Sequence, residues 1–593
     1  MAMTASEFRS HIPDFPLPLR ALESVTGLGK LFDLYAELRT QDASRPILER
    51  LVEHLHVTSK VTDRDLAQIP KKGPTVVVAN HPFGMLEAAV LGALLNRVRP
   101  DVRFLANGIL AHIPELRDVV IAVDPMGGRG AALSNQQGLR KALEHLLAGG
   151  LLVVFPAGEV SHFQLRNGTV TDPAWSASIA RLIAFAARSG TYAATVPVYI
   201  EGSNSFAFHA AGLLHPRLRT ALLARELLNK RHSVVRLHIG GAIDAEKLLS
   251  IPTNEARIEY LRWRTYLLGQ RRAFKADTKK ALARRESAEA VPIAAAADPK
   301  NMEAEVANLT PLAASGEQAV YLGQAGEIPQ VLQEIGRLRE ITFRAAGEGT
   351  GKPIDLDRFD EHYLHLFVWN HAKSELVGAY RLSSTVWGTD HLYTATLFGY
   401  SNEFLKRLGP ALELGRSFVR VEYQRSFSPL LLLWKGIGQY VARNPRYKVL
   451  FGPVSISNRY QPLSREIMVS FLERRASLMG WAASAWARNP FHRRSEIPLA
   501  PEQDFDVEDL SALVSDLEPE RAGVPVLLRQ YLRLGGKLLG FNVDPQFNNA
   551  LDGLILVDLT KTDAKLLERY LGKAEAARFN EFQEVASKGK YAA

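Results

Sequence analysis

Thr75-Val-Val-Val-Ala-Asn-His81-Pro-Phe-Gly-Met-Leu-Glu87 decides the fold of the first half of this chain. Residues 75–79 form an apolar, mostly β-branched run, closed by Gly73-Pro74 in front and by Pro82 and Gly84 behind. A short apolar run between turn residues has the form of a buried strand in a parallel sheet. The following residues 85–95 are rich in Leu and Ala, which predicts a helix with Glu87 in its first turn. His81 then sits at the carboxyl end of the strand, the edge where open α/β sheets bind ligands. In that setting Glu87 can fix one ring nitrogen of His81 while the other takes a proton from an attacking hydroxyl, so both are catalytic candidates. An isolated histidine more often caps a helix or bonds a carbonyl; polar companions at neighbouring strand ends change that balance.

The pattern continues with apolar runs at 102–105, 119–123, 151–155 and 194–200 and a helical stretch at 135–147. Short strands alternating with helices predict an α/β architecture. Two more of these strands end in polar groups. Residues 119–123 run into Asp124-Pro-Met-Gly-Gly-Arg129-Gly, where glycines permit close backbone approach and Arg129 offers a forked cation to an anionic or carbonyl oxygen. Residues 151–155 run into Pro156-Ala-Gly158-Glu159-Val-Ser161-His162. Each is by itself only a turn with a charge, but three polar strand ends in one alternating unit make Arg129, Gly158 and Glu159 candidate substrate contacts.

A chain of 593 residues, 47% hydrophobic and 23% charged, is long enough for several globular domains. The absence of cysteine excludes disulfides, thiolate nucleophiles and cysteine-ligated zinc or iron–sulfur sites, and no metal site is expected. The first twenty residues carry Glu7 and Asp14 and no apolar core of signal-peptide length, so a cytoplasmic location is expected. No apolar run approaches the ~20 residues needed to cross a bilayer. Any membrane contact is therefore expected to be peripheral, on the inner face of the cytoplasmic membrane. The net charge of +9 and pI near 9.4 suit an anionic partner: a lipid surface, an acidic carrier protein or nucleic acid. A nucleic-acid-binding or scaffold protein is thus the reading from another class. Against it, the sequence has no helix-turn-helix, zinc-ligand or RNP-type pattern, and its lysines and arginines are widely spread.

Between Phe274 and Tyr321 there is no aromatic residue, and residues 275–314 are dominated by Ala, Lys, Glu and Asp. Such composition predicts a linker over 286–314 between a first domain, 1–285, and a second, 315–593. Residues 275–289 extend a basic run that includes Arg262, Arg264, Arg271 and Arg272, either a solvated helix face or a docking surface for lipid headgroups or an acidic carrier.

Asn80-His81…Glu87, Gly128-Arg129, Phe155-Pro-Ala-Gly158-Glu159 and Val196-Pro-Val198 resemble, in order, the four blocks of the glycerolipid (lysophospholipid) acyltransferase family. The resemblance covers roughly the first half. The family usually places an aspartate five positions after the histidine; a subgroup with His-Pro-Phe-Gly-Gly-Leu-Asp has the six-position spacing found here, with Glu replacing Asp. The third block has Ala-Gly-Glu-Val-Ser where the family has Glu-Gly-Thr-Arg, a motif associated with glycerol phosphate. The implied acceptor is therefore one without that phosphate.

The second half carries Arg337-Leu-Arg339-Glu-Ile-Thr-Phe343, Asp355-Leu-Asp357-Arg-Phe-Asp360, Gly378-Ala-Tyr-Arg381 and Glu413-Leu-Gly-Arg416. Taken singly these are helix faces and turns with salt bridges. In this order, over most of 315–560, they resemble the acyl-carrier-dependent branch of the GNAT-like acyltransferases: the autoinducer synthases and the ornithine lipid N-acyltransferases. The resemblance implies amide formation on an amino acid, with Glu413 as base, directly or through water. Arg381 and Arg416 then hold the amino acid's carboxylate or the carrier's phosphopantetheine, and Arg339 joins them as a substrate-binding candidate. Asp355, Asp357 and Asp360 bind the cationic end of ornithine or brace the fold. The nearest candidate for the coenzyme A pyrophosphate loop of GNAT enzymes, Gly436-Ile-Gly438, has Leu433 in its first position, which favours an acyl carrier protein as donor and no separate cofactor.

Joined in this order the two halves resemble the bifunctional ornithine lipid synthases. That implies a mixed α/β protein of two domains which N-acylates ornithine with a 3-hydroxyacyl chain and then O-acylates the lyso-lipid at its hydroxyl. Glycine, glutamine and lysine are alternative acceptors.

Overall fold

The computed structural model describes residues 26–42, 44–124, 131–166, 168–189, 193–271, 291–426, 428–481, 484–493 and 505–589. They fall into two compact units, one drawn from Met1–Ala273 with Ala500–Phe505, the other from Phe274–Leu499 with Asp506–Ala593. Both are α/β.

The first unit contains β1 (Thr58–Lys60), β2 (Thr75–Ala79), β3 (Val102–Asn107), β4 (Val120–Val123), β5 (Leu151–Val154), β6 (His162–Gln164), β7 (Thr169–Thr171), β8 (Ala194–Ile200) and β9 (Val234–Ile239). Seven of these form one sheet in the order β1-β9-β8-β2-β5-β3-β4, while β6 and β7 pair as a separate hairpin. Strands β4, β3, β5, β2 and β8 are mutually parallel, and β9 lies antiparallel to β8. Along β2, Val77 and Ala79 enter one core and Val76 and Val78 the other. The same alternation in β5 sends Leu151 and Val153 one way and Leu152 and Val154 the other. A sheet covered on both faces needs apolar side chains in both directions, which is why these strands read as continuous runs. The helix Leu86–Leu95 supplies Leu86, Val90, Leu91, Leu94 and Leu95 to one core.

The second unit contains β10 (Ala313–Ser315), β11 (Gln318–Gln324), β12 (Leu364–Asn370), β13 (Glu375–Ser384), β14 (Phe398–Tyr400), β15 (Ala411–Val419), β16 (Val449–Ile456), β17 (Ala485–Ala487), β18 (Lys537–Asp544) and β19 (Ala550–Asp558). Eight make a sheet in the order β10-β11-β12-β13-β15-β16-β19-β18, and β14 pairs with β17. Within this sheet only β15 and β16 are parallel neighbours. Their pairing is confined to Ala411↔Val449 through Glu413↔Phe451, although the strands continue to Val419 and Ile456. The sheet therefore opens next to Glu413.

The expected linker over 286–314 is corrected for residues 291–314, which are built into the second unit. The helix Pro299–Ala307 buries Met302 and Val306 in the core beneath the helix Pro329–Ala346. Residues 313–315 are strand β10, and the Ala294 N–H donates to Pro353 O at 2.9 Å. Alanine-rich composition concealed the segment because only two or three of its apolar side chains are needed to dock it. Among the described residues no helix is long and apolar enough to cross a membrane.

Candidate active sites

In the first unit, His81 lies two residues past β2, and its Nδ1 is 2.7 Å from Oε1 of Glu87. Glu87 is fully buried in the first turn of its helix. The same Oε1 accepts the N–H groups of Phe83 (2.9 Å) and Gly84 (2.8 Å), so the loop between strand and helix is wound around this carboxylate. Gly84 permits that winding: its φ is +98°, and a Cβ there would lie 2.7 Å from Leu223 Cδ2 and 2.9 Å from Val160 Cγ2. The Asn80 side chain clamps the strand end to β8, donating to Ile200 O (3.0 Å) and accepting from Ile200 N (2.7 Å). The imidazole stacks on Phe155, with ring centroids 4.4 Å apart.

Burial alone would lower the His81 pKa, but the charge and hydrogen bond of Glu87 outweigh it and the shift is upward. Burial likewise opposes ionisation of Glu87, yet His81 and the two backbone N–H groups hold its pKa below the ordinary value. With Nδ1 held, Nε2 makes no hydrogen bond to another described residue and is the nitrogen left for chemistry.

A second carboxylate, which sequence reasoning did not find, lies behind this pair. Asp172 Oδ1 accepts from the His81 backbone N–H (3.2 Å) and from the Ser161 hydroxyl, and its Oδ2 accepts from Trp175 Nε1 (2.9 Å). Its own N–H donates to the Tyr266 hydroxyl (2.8 Å), and the Ser161 N–H donates to His81 O (2.8 Å). The only sequence signal was an acid in a Thr-Asp-Pro turn, 91 positions from His81.

Among the other expected contacts, Arg129 lies outside the described residues. Gly158 closes the turn after β5, with φ +67° and its N–H on Phe155 O at 3.0 Å. Glu159 is exposed and pairs with Arg219 at 2.8 Å. Of the expected basic run, residues 272–289 lie outside the described residues, while Arg262, Arg264 and Arg271 are corrected as docking groups. Arg271 is buried against Asp65 (2.8 Å), Arg264 is buried with Nη1 on the Tyr260 hydroxyl (2.9 Å), and Arg262 bonds Thr171 and Asp172. Arg272 lies outside the described residues.

In the second unit the expected residues converge on the side of the sheet that carries Glu413. Arg381 on β13 and Arg339 on the helix Pro329–Ala346 are both 0% exposed. Arg381 Nη1 reaches Asp357 Oδ1 (2.8 Å) and Asp360 Oδ1 (3.2 Å), and Arg339 Nη1 reaches the same Asp360 oxygen (2.7 Å). Arg416 contacts Asp357 (3.2 Å) and Asp355 (3.6 Å) and lies 3.9 Å over the Phe547 ring. Burial opposes ionisation of Asp360, but Arg339 and Arg381 hold its pKa far below the usual range. His365, whose Nε2 lies 2.8 Å from Asp360 O, is pushed down to about 4 by burial and by Arg339. Three arginines and three aspartates thus compensate one another inside the protein. Arg339 and Arg381 are enclosed by this network, whereas Asp357, 24% exposed, and Arg416 form its outer rim.

Glu413 is buried. Its Oε2 accepts from the Tyr363 hydroxyl and the Tyr393 N–H (3.0 Å), and its Oε1 accepts from the Thr394 N–H (2.6 Å). Burial raises its pKa despite these bonds. Gly436 and Gly438 lie within the helix Ser428–Arg443, where a Cβ would come 2.8 Å from Val320 Cγ2 and 2.4 Å from Tyr570 O respectively. Close helix packing accounts for both.

Comparison with known proteins gives a consistent assignment to the two units. A family model described as "Acyltransferase" matches residues 44–273, and one described as "Acetyltransferase (GNAT) domain" matches residues 338–435. A glycine N(alpha)-acyltransferase of Phocaeicola vulgatus is 39% identical over 171 residues, 26% of this chain and 52% of that protein. The match thus spans about half the length of that relative. A lyso-glycine lipid O-acyltransferase of the same organism is 30% identical over 205 residues, 33% of this chain and 68% of that protein. An L-ornithine N(alpha)-acyltransferase of Rhizobium meliloti is 28% identical over 252 residues, 41% of this chain and 79% of that protein.

Proposed function

The chain belongs to the acyltransferases, with an acyltransferase domain followed by a GNAT domain, and on that premise we propose that it makes an aminolipid in two acyl transfers. In the GNAT-like unit, the α-amino group of an amino acid attacks the thioester carbonyl of a 3-hydroxyacyl donor. The amide forms, the thiol departs, and the product is a lyso-aminolipid. Arg416 on the open rim holds the amino acid's carboxylate. Glu413 receives the ammonium proton through an intervening water, because its own oxygens already accept from Tyr363, Tyr393 and Thr394. Arg339 and Arg381 act by holding Asp357 and Asp360 in place.

In the first unit the lyso-lipid's 3-hydroxyl attacks a second thioester. His81 Nε2 takes the hydroxyl proton and returns it to the leaving thiolate, while Glu87 stabilises the imidazolium formed between. The observation that carries the proposal is the 2.7 Å contact of His81 Nδ1 with a fully buried Glu87, which leaves Nε2 free at a strand's carboxyl end. Acyl carrier protein is the proposed donor: it is small and acidic and suits a chain of net charge +9. Peripheral membrane docking is supported by the helix Phe206–Leu214, in which Phe206 is 87% and Leu214 81% exposed, with Leu165 and Arg217 exposed nearby.

Ornithine is the proposed amino acid. Glycine is the second reading, favoured by the similarity to the glycine N-acyltransferase. Expression in a bacterium without aminolipids, followed by mass spectrometry of its lipids, tests the scheme. The wild type should yield a diacyl aminolipid and His81→Ala the N-acyl lyso form, since loss of a general base costs about 10²–10⁴-fold. Normal diacyl product from His81→Ala would refute the assignment of the first site, and absence of any N-acyl amino acid would refute that of the second.

A further inference from the structure

Past the end of β2 the backbone of His81 has no neighbour in the sheet. The last β2–β5 pair is Val78↔Val154 and the last β2–β8 pair is Ala79↔Val198. Backbone groups at a buried strand end need partners from elsewhere. For His81 they come from the segment between β5 and the helix Ala177–Arg188. The Asp172 carboxylate accepts the His81 N–H at 3.2 Å, and the Ser161 N–H donates to the His81 carbonyl at 2.8 Å. Ser161 and Asp172, both buried, are themselves joined hydroxyl to carboxylate. A closed ring of hydrogen bonds thus runs from the His81 N–H through Asp172 and Ser161 back to the His81 carbonyl, gripping the residue at both ends.

The ring is anchored in turn. Asp172 Oδ2 accepts from Trp175 Nε1, and two groups of the helix Asn254–Leu268 hold its backbone: the Tyr266 hydroxyl accepts its N–H, and Arg262 Nη2 donates to its carbonyl at 3.2 Å. The three partners of the carboxylate, from His81, Ser161 and Trp175, are all donors. A carboxylate satisfies them, whereas an asparagine must turn its NH2 toward at least one. The charged groups that act on His81 among the described residues are Glu87, from the helix Leu86–Leu95, and Asp172, from the residue after β7; both favour the protonated ring, and the stacked Phe155 carries no charge. Ser161 ends the Ala-Gly-Glu-Val-Ser stretch that stands where relatives resembling this half have Glu-Gly-Thr-Arg. In this chain that stretch contributes a hold on the histidine.

We propose that Asp172, closed by Ser161, is a positioning residue of the first site: it fixes the His81 backbone so that Nδ1 stays on Glu87 and Nε2 faces the acceptor hydroxyl, and its charge supports the imidazolium formed during transfer. The inference deepens the proposed O-acylation and rests on it.

The test is O-acylation of purified N-(3-hydroxyacyl)ornithine by the full-length protein across a series of pH values, with N-acylation by the same preparations as control. Asp172→Asn should lower kcat for O-acylation by about 10–100-fold, the size expected of a misplacement of about 1 Å, with KM for the lyso-lipid changed less than about threefold. N-acylation should be unaffected. The acidic limb should shift to lower pH, because a charge favouring protonated His81 is gone. Ser161→Ala keeps that charge and the Ser161 N–H, so it should cost less in kcat and leave the limb in place. NMR of the His81 ring, assigned by the signal lost in His81→Ala, reads the same effect without turnover: His81 should titrate at lower pH in Asp172→Asn. A purely structural role would reduce the amount of active enzyme and move neither limb nor titration. Wild-type kcat in Asp172→Asn, or a lowered kcat with limb and titration unmoved, would therefore overturn the assignment. Should Asp172→Asn fail to fold, Ser161→Ala with Trp175→Phe leaves the carboxylate one donor of three, and kcat within about twofold of wild type would overturn it. A wild type that leaves the lyso-lipid unacylated would instead overturn the O-acylation reading, and the NMR titration would still decide whether Asp172 acts on His81.

Discussion

Glu87→Gln separates the charge of the first site from its geometry. One oxygen, Oε1, meets His81 Nδ1 and both loop N–H groups, while Oε2 has no hydrogen-bond partner among the described residues. A glutamine whose amide oxygen takes the Oε1 position keeps all three contacts and loses only the negative charge. Hydrogen bonds to charged groups contribute about 1.5–3 kcal/mol and neutral ones about 0.5–1.5. The imidazolium formed during O-acylation should thus lose about 1–2 kcal/mol of stabilisation, or roughly 5- to 30-fold in kcat/KM at about 1.4 kcal/mol per tenfold. The pH profile should move as well. In the wild type Glu87 holds the His81 pKa above its ordinary 6.5, so neutral, base-competent His81 predominates only above that raised value. Without that charge only Asp172 and the remaining hydrogen bond act against burial, so the pKa falls and the acidic limb of the rate profile shifts to lower pH. The assay is O-acylation of purified lyso-lipid at a series of pH values, with variants compared on the alkaline plateau. A Glu87→Gln enzyme within about twofold of wild type there, with its acidic limb unmoved, would refute the pairing argument.

Arg381→Ala should destabilise the second unit by about 3–5 kcal/mol, because it leaves three aspartates facing two arginines, with Asp360 held by Arg339 alone and Asp357 by Arg416 alone. Arg381→Lys should not restore it fully, since an ammonium lacks the planar fork. Denaturant unfolding reads both, and an unchanged midpoint with a raised KM for the amino acid would return Arg381 to direct substrate contact. Replacing Phe206 and Leu214 together by Asp should weaken co-sedimentation with anionic vesicles at least about tenfold, since burying each such side chain contributes about 1.5–3 kcal/mol. Undiminished binding would show that another surface docks.

The strands and helix that carry His81 and Glu87 were legible because local sequence dictates them. An apolar run between turn residues has no polar alternative to a buried strand, and six positions across a strand–loop–helix turn leave few ways to place a carboxylate beside an imidazole. The arginines and aspartates of the second half were legible as a set, but not in their roles. That Arg381 is enclosed while Arg416 lies on the rim depends on which side of each strand the other elements cover. Residues 291–314 read as a linker because a few docked side chains escape composition, and Arg271 read as surface because its partner Asp65 is 206 positions away. Asp172 had no signal strong enough to single it out. The sequence by itself determined two acyltransferase-like α/β halves and the His81–Glu87 pair, for periodicity and turn residues act within a few positions along the chain. Only the tertiary structure decided which charges compensate one another, because the cost of burying a charge depends on neighbours that the fold brings from far along the chain.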